Sequence, residues 1–336
     1  MCDRSLGVMV PHAGSDPDED EVAATTDRRP PEVWPVTTPA MPRIRPVDRP
    51  RTAFVLSGGG NQAVSQVGML RALLERGIEP DVVVGTSAGA LNGAVVATDP
   101  TVTAVDHLAD VWLSIRSGEV FPGSRLARAW NVLRRDDHLF TNEGLLSIID
   151  RAHTASTFAE TRVPLRVVAS DLTSGDEVVF ASGPVEPALL ASTALPALFP
   201  PVEHDGRLLV DGAVTNTVPL WHALAGPVDR VYVCNVSGAL AERRLRSPLD
   251  VAVRAFAISR NQRFELELRH APLEVEVVVL PTPSDERELF DFSDSLMLIE
   301  EAHHLAARAL DEHEAELARP RERARRRWFR RRRDVA

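Results

Sequence analysis

The chain has 336 residues, 44% hydrophobic and 26% charged, with a mean hydropathy of −0.10 and a formal net charge of −10. That length carries a core without disulfide or metal staples, and no apolar run reaches the roughly eighteen residues of a membrane span, so peptide-sized, fibrous and helical membrane-spanning classes are excluded. Its two cysteines, Cys2 and Cys234, are far apart and form no zinc spacing, and no secretory leader pattern opens the chain, so the expected address is cytoplasmic.

Charge is unevenly placed. All 38 basic residues are Arg. Residues 319–336 hold ten Arg against Glu322 and Asp334, a net of +8, which leaves −18 on residues 1–318. An acidic body therefore carries a basic tail.

Residues 1–50 hold nine of the 25 Pro and an acidic cluster, Asp16 to Glu21, without sustained apolar periodicity. They read as a disordered leader, or as an artefact of translation starting at Met41. From Arg51 the pattern changes. Thr52 to Leu56 is a short apolar strand closed by Gly58-Gly59-Gly60, and a helix follows from Asn61 with Val64, Val67, Leu70, Leu73 and Leu74 at steps of three and four. Gly77 sits where a helix C-cap belongs. A second strand, Asp81 to Val84, leads through Gly85-Thr86-Ser87-Ala88-Gly89 into a small-residue helix, Ala90 to Ala97. This strand–helix repetition predicts parallel strands joined by a right-handed crossover. Further strands are expected at Leu165 to Ala169, Glu177 to Phe180, Leu208 to Val210, Arg230 to Val236 and Glu274 to Leu280, with a long helix over Ser293 to Leu317. The expected fold class is α/β, a three-layer α/β/α sandwich around a mostly parallel sheet, with one domain over residues 51–318.

Gly85-Thr86-Ser87-Ala88-Gly89 stands between a strand and a helix, the context that a nucleophile elbow requires. A Ser there is forced into a strained turn, and its glycine flanks remove side chains that would clash with strand and helix. A bare turn of small residues is the bland alternative. Gly58-Gly59-Gly60 can turn amides toward an oxyanion or a phosphate. A dinucleotide fingerprint fails because Ala63 occupies its last glycine, and a chain without Lys has no phosphate-loop Lys, so the oxyanion reading ranks first. Asp211-Gly212-Ala213 ends another strand; Asp-Gly alone is most often a turn, but a nucleophilic Ser needs a base.

In that order, Gly58-Gly59-Gly60, Gly85-Thr86-Ser87-Ala88-Gly89 and Asp211-Gly212-Ala213 resemble the patatin-like phospholipases, closely over residues 52–226, with Ala191 to Pro196 and Phe199-Pro200-Pro201 in support. The resemblance implies a lipid acyl hydrolase working by a Ser/Asp dyad without histidine. Ser87 would be the nucleophile, Asp211 the general base, and the amides of Gly58, Gly59 and Gly60 the oxyanion hole, with Gly85, Gly89 and Gly212 supporting the motifs. No cofactor or metal is implied. One departure stands out: Gln62 and Ala63 follow the glycines where the family often has a basic residue and another Gly, which bears on phospholipid preference more than on ester hydrolysis.

Two rival readings remain. The order Ser87, Asp211, later His also suits the Ser-Asp-His triad of α/β-hydrolases, with His222, His270, His303 and His304 as the histidines to test. The other is a non-catalytic lipid or protein binder that keeps the fold. The tail, Arg319 to Arg333 with Trp328 and Phe329, reads as a solvated helix end or as a peripheral contact with anionic membrane; no recognition fold accompanies it, and no nucleic-acid partner is expected.

Overall fold

The structure, a computed structural model, describes residues 49–115, 140–237, 248–283 and 292–333. The side chains of residues 248–250, 252–254 and 256–257, and of those beyond 317, fall outside that description, as does the leader expected at residues 1–50 apart from its last two residues. Eight described strands form one sheet: β1 (Thr52–Leu56), β2 (Val82–Thr86), β3 (Leu165–Asp171), β4 (Glu177–Phe180), β5 (Val202–His204), β6 (Arg207–Asp211), β7 (Arg230–Cys234) and β8 (Glu276–Val279). Around it lie α1 (Val64–Glu75), α2 (Ala88–Thr98), α3 (Val102–Ser114), α4 (Glu143–Arg151), α5 (Val185–Thr193), α6 (Leu220–Leu224), α7 (Pro248–Arg269) and α8 (Ser295–Arg333).

Strand side chains alternate between two cores, as a period of two requires. Phe54, Leu56, Val83, Val167, Ala169 and Tyr232 join residues of α1, α2, α3, α4, α5 and α8 in the larger core. Ala53, Val55, Val84, Val168, Val231 and Val233 turn the other way, toward α6 and Phe264 of α7. The molecule is thus the three-layer α/β/α sandwich expected. Phe54 and Leu56 are 0% exposed, and each such burial contributes about 1.5–3 kcal/mol. Helix α1 ends as foreseen: Gly77, at φ 67°, donates its amide to the Leu74 carbonyl while Ile78 donates to Leu73, the paired bonds of a Schellman cap. No helix among the described residues is long and apolar enough to cross a membrane. The last helix runs on through the boundary expected at residue 318, as far as Arg333.

The sheet runs in the order β5-β6-β3-β2-β1-β7-β8, with β4 also on β3. β2, β1, β7 and β8 are parallel in successive pairs, and β2 is parallel to β3. β4 pairs antiparallel with β3 over Val167 to Ser170. On β3, β2 is paired as far as Val168, opposite Thr86, and β6 takes over at Ala169, opposite Asp211. Because β4 overlaps both of these stretches, it must hold the other edge of β3. β2 and β6 therefore share one edge and run head-on toward each other. The C-terminal ends of two strands distant in sequence meet there, at adjacent residues of a third.

Candidate active site

That collision of strand ends builds the site. Ser87 follows Thr86 and Asp211 ends β6, so β3 acts as a ruler that brings the two side chains together. The Ser87 hydroxyl donates to Asp211 Oδ2 at 2.6 Å, and the Ala213 amide donates to Oδ1 at 2.7 Å. Ser87 is 6% exposed and Asp211 fully buried. Burial penalises the carboxylate and pushes its pKa up to about 6, against the opposing pull of the Ser87 hydroxyl, the Ala213 amide and the nearby charge of Arg260 on α7. Ser87 also has the strained backbone expected of an elbow, φ 55° and ψ −131°, a conformation that costs a non-glycine residue about 1–3 kcal/mol.

Something must hold that strain, and the structure identifies it. The Ser87 amide donates to the hydroxyl of Ser192 on α5 at 2.8 Å, and that hydroxyl donates in turn to the Val168 carbonyl at 2.6 Å. The flanking glycines are dictated by space: a Cβ on Gly85 would stand 2.5 Å from the Gly89 carbonyl oxygen, one on Gly89 2.4 Å from that of Ser57, and one on Gly212 2.1 Å from that of Val168.

The glycine loop divides its duties. Gly58 does not fit the expected oxyanion role, because its amide already donates to the Thr217 carbonyl at 3.0 Å. Its contribution is steric: an added Cβ would lie 3.2 Å from that of Ser87. The amides of Gly59 and Gly60 donate to no acceptor among the described residues, and Gly60 adopts φ 57°. A buried polar chain fixes the loop from behind. Gln66 Nε2 donates to the carbonyls of Ser57 and Cys234, Asn92 Nδ2 donates to Gln66 Oε1 and the Ala63 carbonyl, and Trp112 Nε1 donates to Asn92 Oδ1.

The histidines named for the triad alternative have other partners in the structure. His222 Nε2 donates to Glu177 Oε2 at 2.6 Å, His303 pairs with Glu75, His270 bonds the Leu266 carbonyl, and His304 packs edge-on against the His303 ring. Among the described residues no histidine bonds Ser87 or Asp211, whose carboxylate oxygens are taken by the serine and an amide. Gln66, Asn92 and Arg260 were not singled out from the sequence, and Ser192 stood there only within the supporting stretch Ala191 to Pro196, without a role. The signal for Gln66 and Asn92 was there, as amides on the otherwise apolar or small faces of α1 and α2; Arg260 gave none.

The chain is 29% identical over 209 residues to an uncharacterized NTE family protein of Mycobacterium tuberculosis, covering 60% of this chain and 54% of that protein. It is 30% identical over 169 residues to patatin-like phospholipase domain-containing protein 7 of Rattus norvegicus, covering 50% of this chain and 12% of that protein. The chain thus spans about half the length of the mycobacterial relative and far less of the rat one. Among solved structures it is similar to human GIVD cytosolic phospholipase A2 in complex with methyl gamma-linolenyl fluorophosphonate, at 14% identity and TM-score 0.44, covering 80% of this chain and 58% of that one. The family model described as patatin-like phospholipase matches residues 54–224, about half of the chain, a stretch that takes in the glycine loop, Ser87 and Asp211, and the protein belongs to the patatin-like phospholipase family.

Proposed function

We propose that the protein is a serine hydrolase of lipid carboxylic esters in which Asp211 serves Ser87 directly as general base. The observation that carries this reading is the 2.6 Å bond from the Ser87 hydroxyl to a fully buried carboxylate. Asp211 Oδ2 takes the hydroxyl proton as Ser87 Oγ attacks the acyl carbonyl, and the amides of Gly59 and Gly60 receive the developing oxyanion. Collapse of the tetrahedral intermediate breaks the ester C–O bond, and the proton held by Asp211 goes to the departing alcohol. A water then gives its proton to Asp211, attacks the acyl-enzyme and releases the fatty acid, returning the proton to Ser87.

Family membership supports a lipid substrate. Gln62 in the place of a loop cation leaves neutral lipid esters beside phospholipids as candidates. We further propose that the Arg-rich end of α8 brings the acidic body to anionic membrane, where roughly 1 kcal/mol accrues per Arg near the surface. The test is hydrolysis of a lipid ester by wild type, Ser87→Ala, Asp211→Asn and the double variant. A dyad acting as a unit loses nearly all turnover in each single variant and little more in the double. Additive losses would count against it, and an inactive wild type would favour a non-catalytic lipid binder.

A further inference from the structure

The strip from Asp211 to Thr217 carries more of the site than the base. Its Ala213 amide holds Asp211 Oδ1, its Asn216 carbonyl accepts from the Thr86 hydroxyl at 2.9 Å, and its Thr217 carbonyl accepts from the Gly58 amide. The base, the residue before the nucleophile and the head of the glycine loop are all referenced to one short irregular segment. Asp211 is the last residue in the β6 ladder and its amide donates to the Ala194 carbonyl at 2.8 Å; beyond it the strip is a single 3-10 turn, Gly212–Val214, and a loop, whose position depends on what grips it.

Part of the grip is local, since Ser170 Oγ donates to the Asp211 carbonyl and shares a hydrogen bond with the Thr215 hydroxyl. A second set of bonds converges on Glu177 of β4. Its Oε2 accepts from Asn216 Nδ2 at 3.1 Å and from His222 Nε2, and its Oε1 is paired with Arg263 of α7. Arg263 also donates to the Thr215 carbonyl at 2.8 Å and to Glu267 Oε1 at 3.0 Å. Burial works to raise the pKa of Glu177, yet hydrogen bonds from His222 and Asn216 and the charges of His222 and Arg263 hold it down at about 2, so the hub is an anion at every pH of interest.

Helix α7 is built to match. A helix laid on a sheet normally buries apolar residues and exposes polar ones. Among its described side chains, Phe264 and Leu268 pack toward the sheet beside the 4%-exposed Glu267 and the half-buried Arg263, while Val251, Ile258 and Leu266 are 52%, 43% and 54% exposed. Apolar packing tolerates small shifts, but bonds directed at Thr215, Glu177 and the Trp221 amide do not.

We propose that Glu177, together with Arg263, is the positioning centre of the catalytic strip, holding Asn216 and Thr215 so that Asp211, Thr86 and Gly58 keep their places, and that turnover depends on it although it touches no reacting atom. This rests on the Ser87/Asp211 reading above. Misplacement of a reacting pair by about 1 Å costs on the order of 10²-fold in rate, so the effect belongs in kcat. A second signature follows from the Ala213 amide. When the strip slackens, Asp211 loses the donor that favours its anion, and the acid limb of the pH profile moves to higher pH.

The experiment compares kcat, KM and the pH dependence of kcat/KM on a soluble ester for wild type, Glu177→Gln, Asn216→Ala, Arg263→Met, Arg263→Lys and Ser87→Ala, with an unfolding curve for each. Glu177→Gln keeps size but presents an NH2 to donors; Asn216→Ala cuts only the direct bond from Glu177 to the strip, leaving that of Arg263 to Thr215, and keeps the inference testable if Glu177→Gln does not fold. Expected are kcat losses of at least about tenfold in Glu177→Gln, Asn216→Ala and Arg263→Met, KM within about twofold, an acid limb displaced upward, and partial recovery in Arg263→Lys. Folded variants with wild-type kcat and an unmoved limb would overturn the inference, as would losses that follow reduced stability with no displacement of the limb. If Ser87→Ala is dead while the hub variants are normal, this inference alone fails; if Ser87→Ala retains hydrolysis, the dyad reading fails and takes this inference with it.

Discussion

Replacing Asp211 with Asn abolishes turnover on this account, and it should also stabilise the fold at neutral and alkaline pH. Asp211 is 0% exposed, and burial raises its pKa to about 6, above the ordinary carboxylate value of about 3.9. The folded chain therefore holds this proton more tightly than the unfolded chain. Its contribution to stability is fully present below about pH 4 and is lost as pH rises through about 6. The gap amounts to about 3 kcal/mol in full, and to about 2 kcal/mol between about pH 4.5 and about pH 8. Asn does not ionise, its carbonyl oxygen can take the Ala213 amide, and its NH2 can donate to Ser87 Oγ, so the hydrogen bonds close again. The assay is urea unfolding of both proteins at the two pH values. The stability of Asp211→Asn relative to wild type should be more favourable by about 2 kcal/mol at the higher pH, whatever constant offset the substitution brings. A difference that does not change with pH, or that favours the variant more in acid, would refute the buried-carboxylate reasoning.

Three other outcomes are expected. Ser192→Ala removes the acceptor of the Ser87 amide and a donor to Val168, so it should cost about 1–3 kcal/mol in unfolding and lower turnover with little change in KM. Gly59→Ala places a Cβ 2.5 Å from Val236 Cγ2; if the shift redirects one oxyanion amide, kcat should fall by about 10²- to 10³-fold, and unchanged kcat in a folded variant would assign the loop to the turn alone. Truncation after Ala318 should leave hydrolysis of a short soluble ester nearly unchanged but weaken co-sedimentation with anionic vesicles, as added salt should for the full chain; equal sedimentation of both forms at low salt would make the tail a solvated helix end.

What the sequence made legible was local. β1 with its glycines, β2 with the elbow and the Gly77 cap each announce themselves within a dozen residues, and Glu177 to Phe180 matches its strand to the residue. Asp211 was legible from its place at a strand end before Gly212-Ala213, in the motif order that carries the family resemblance. What stayed hidden depends on residues far apart in sequence. β5 is three residues, two of them Glu203 and His204, too short and polar to show an apolar run. Among its described side chains, α7 mixes Phe264 and Leu268 with Arg263 and Glu267 on the side turned to the body, so neither that helix nor Arg260 and Arg263 stood out. The head-on meeting of β2 and β6 on β3 is a matter of register, and so is the loss of the Gly58 amide to Thr217, a residue 159 positions away. The same holds for Ser192, 105 positions from Ser87 and placed only by the fold of α5 over β3.

The central claim is that Asp211, unaided by histidine, activates Ser87. Its most direct measurement is the rate at which a fluorophosphonate modifies the protein, followed across pH in wild type and Asp211→Asn, with the modified peptide identified by mass spectrometry. The account predicts modification at Ser87 alone, a rate that rises as pH passes through about 6, and a loss of about 10²-fold or more in Asp211→Asn. Modification of another serine, or Asp211→Asn reacting at the wild-type rate, would contradict it.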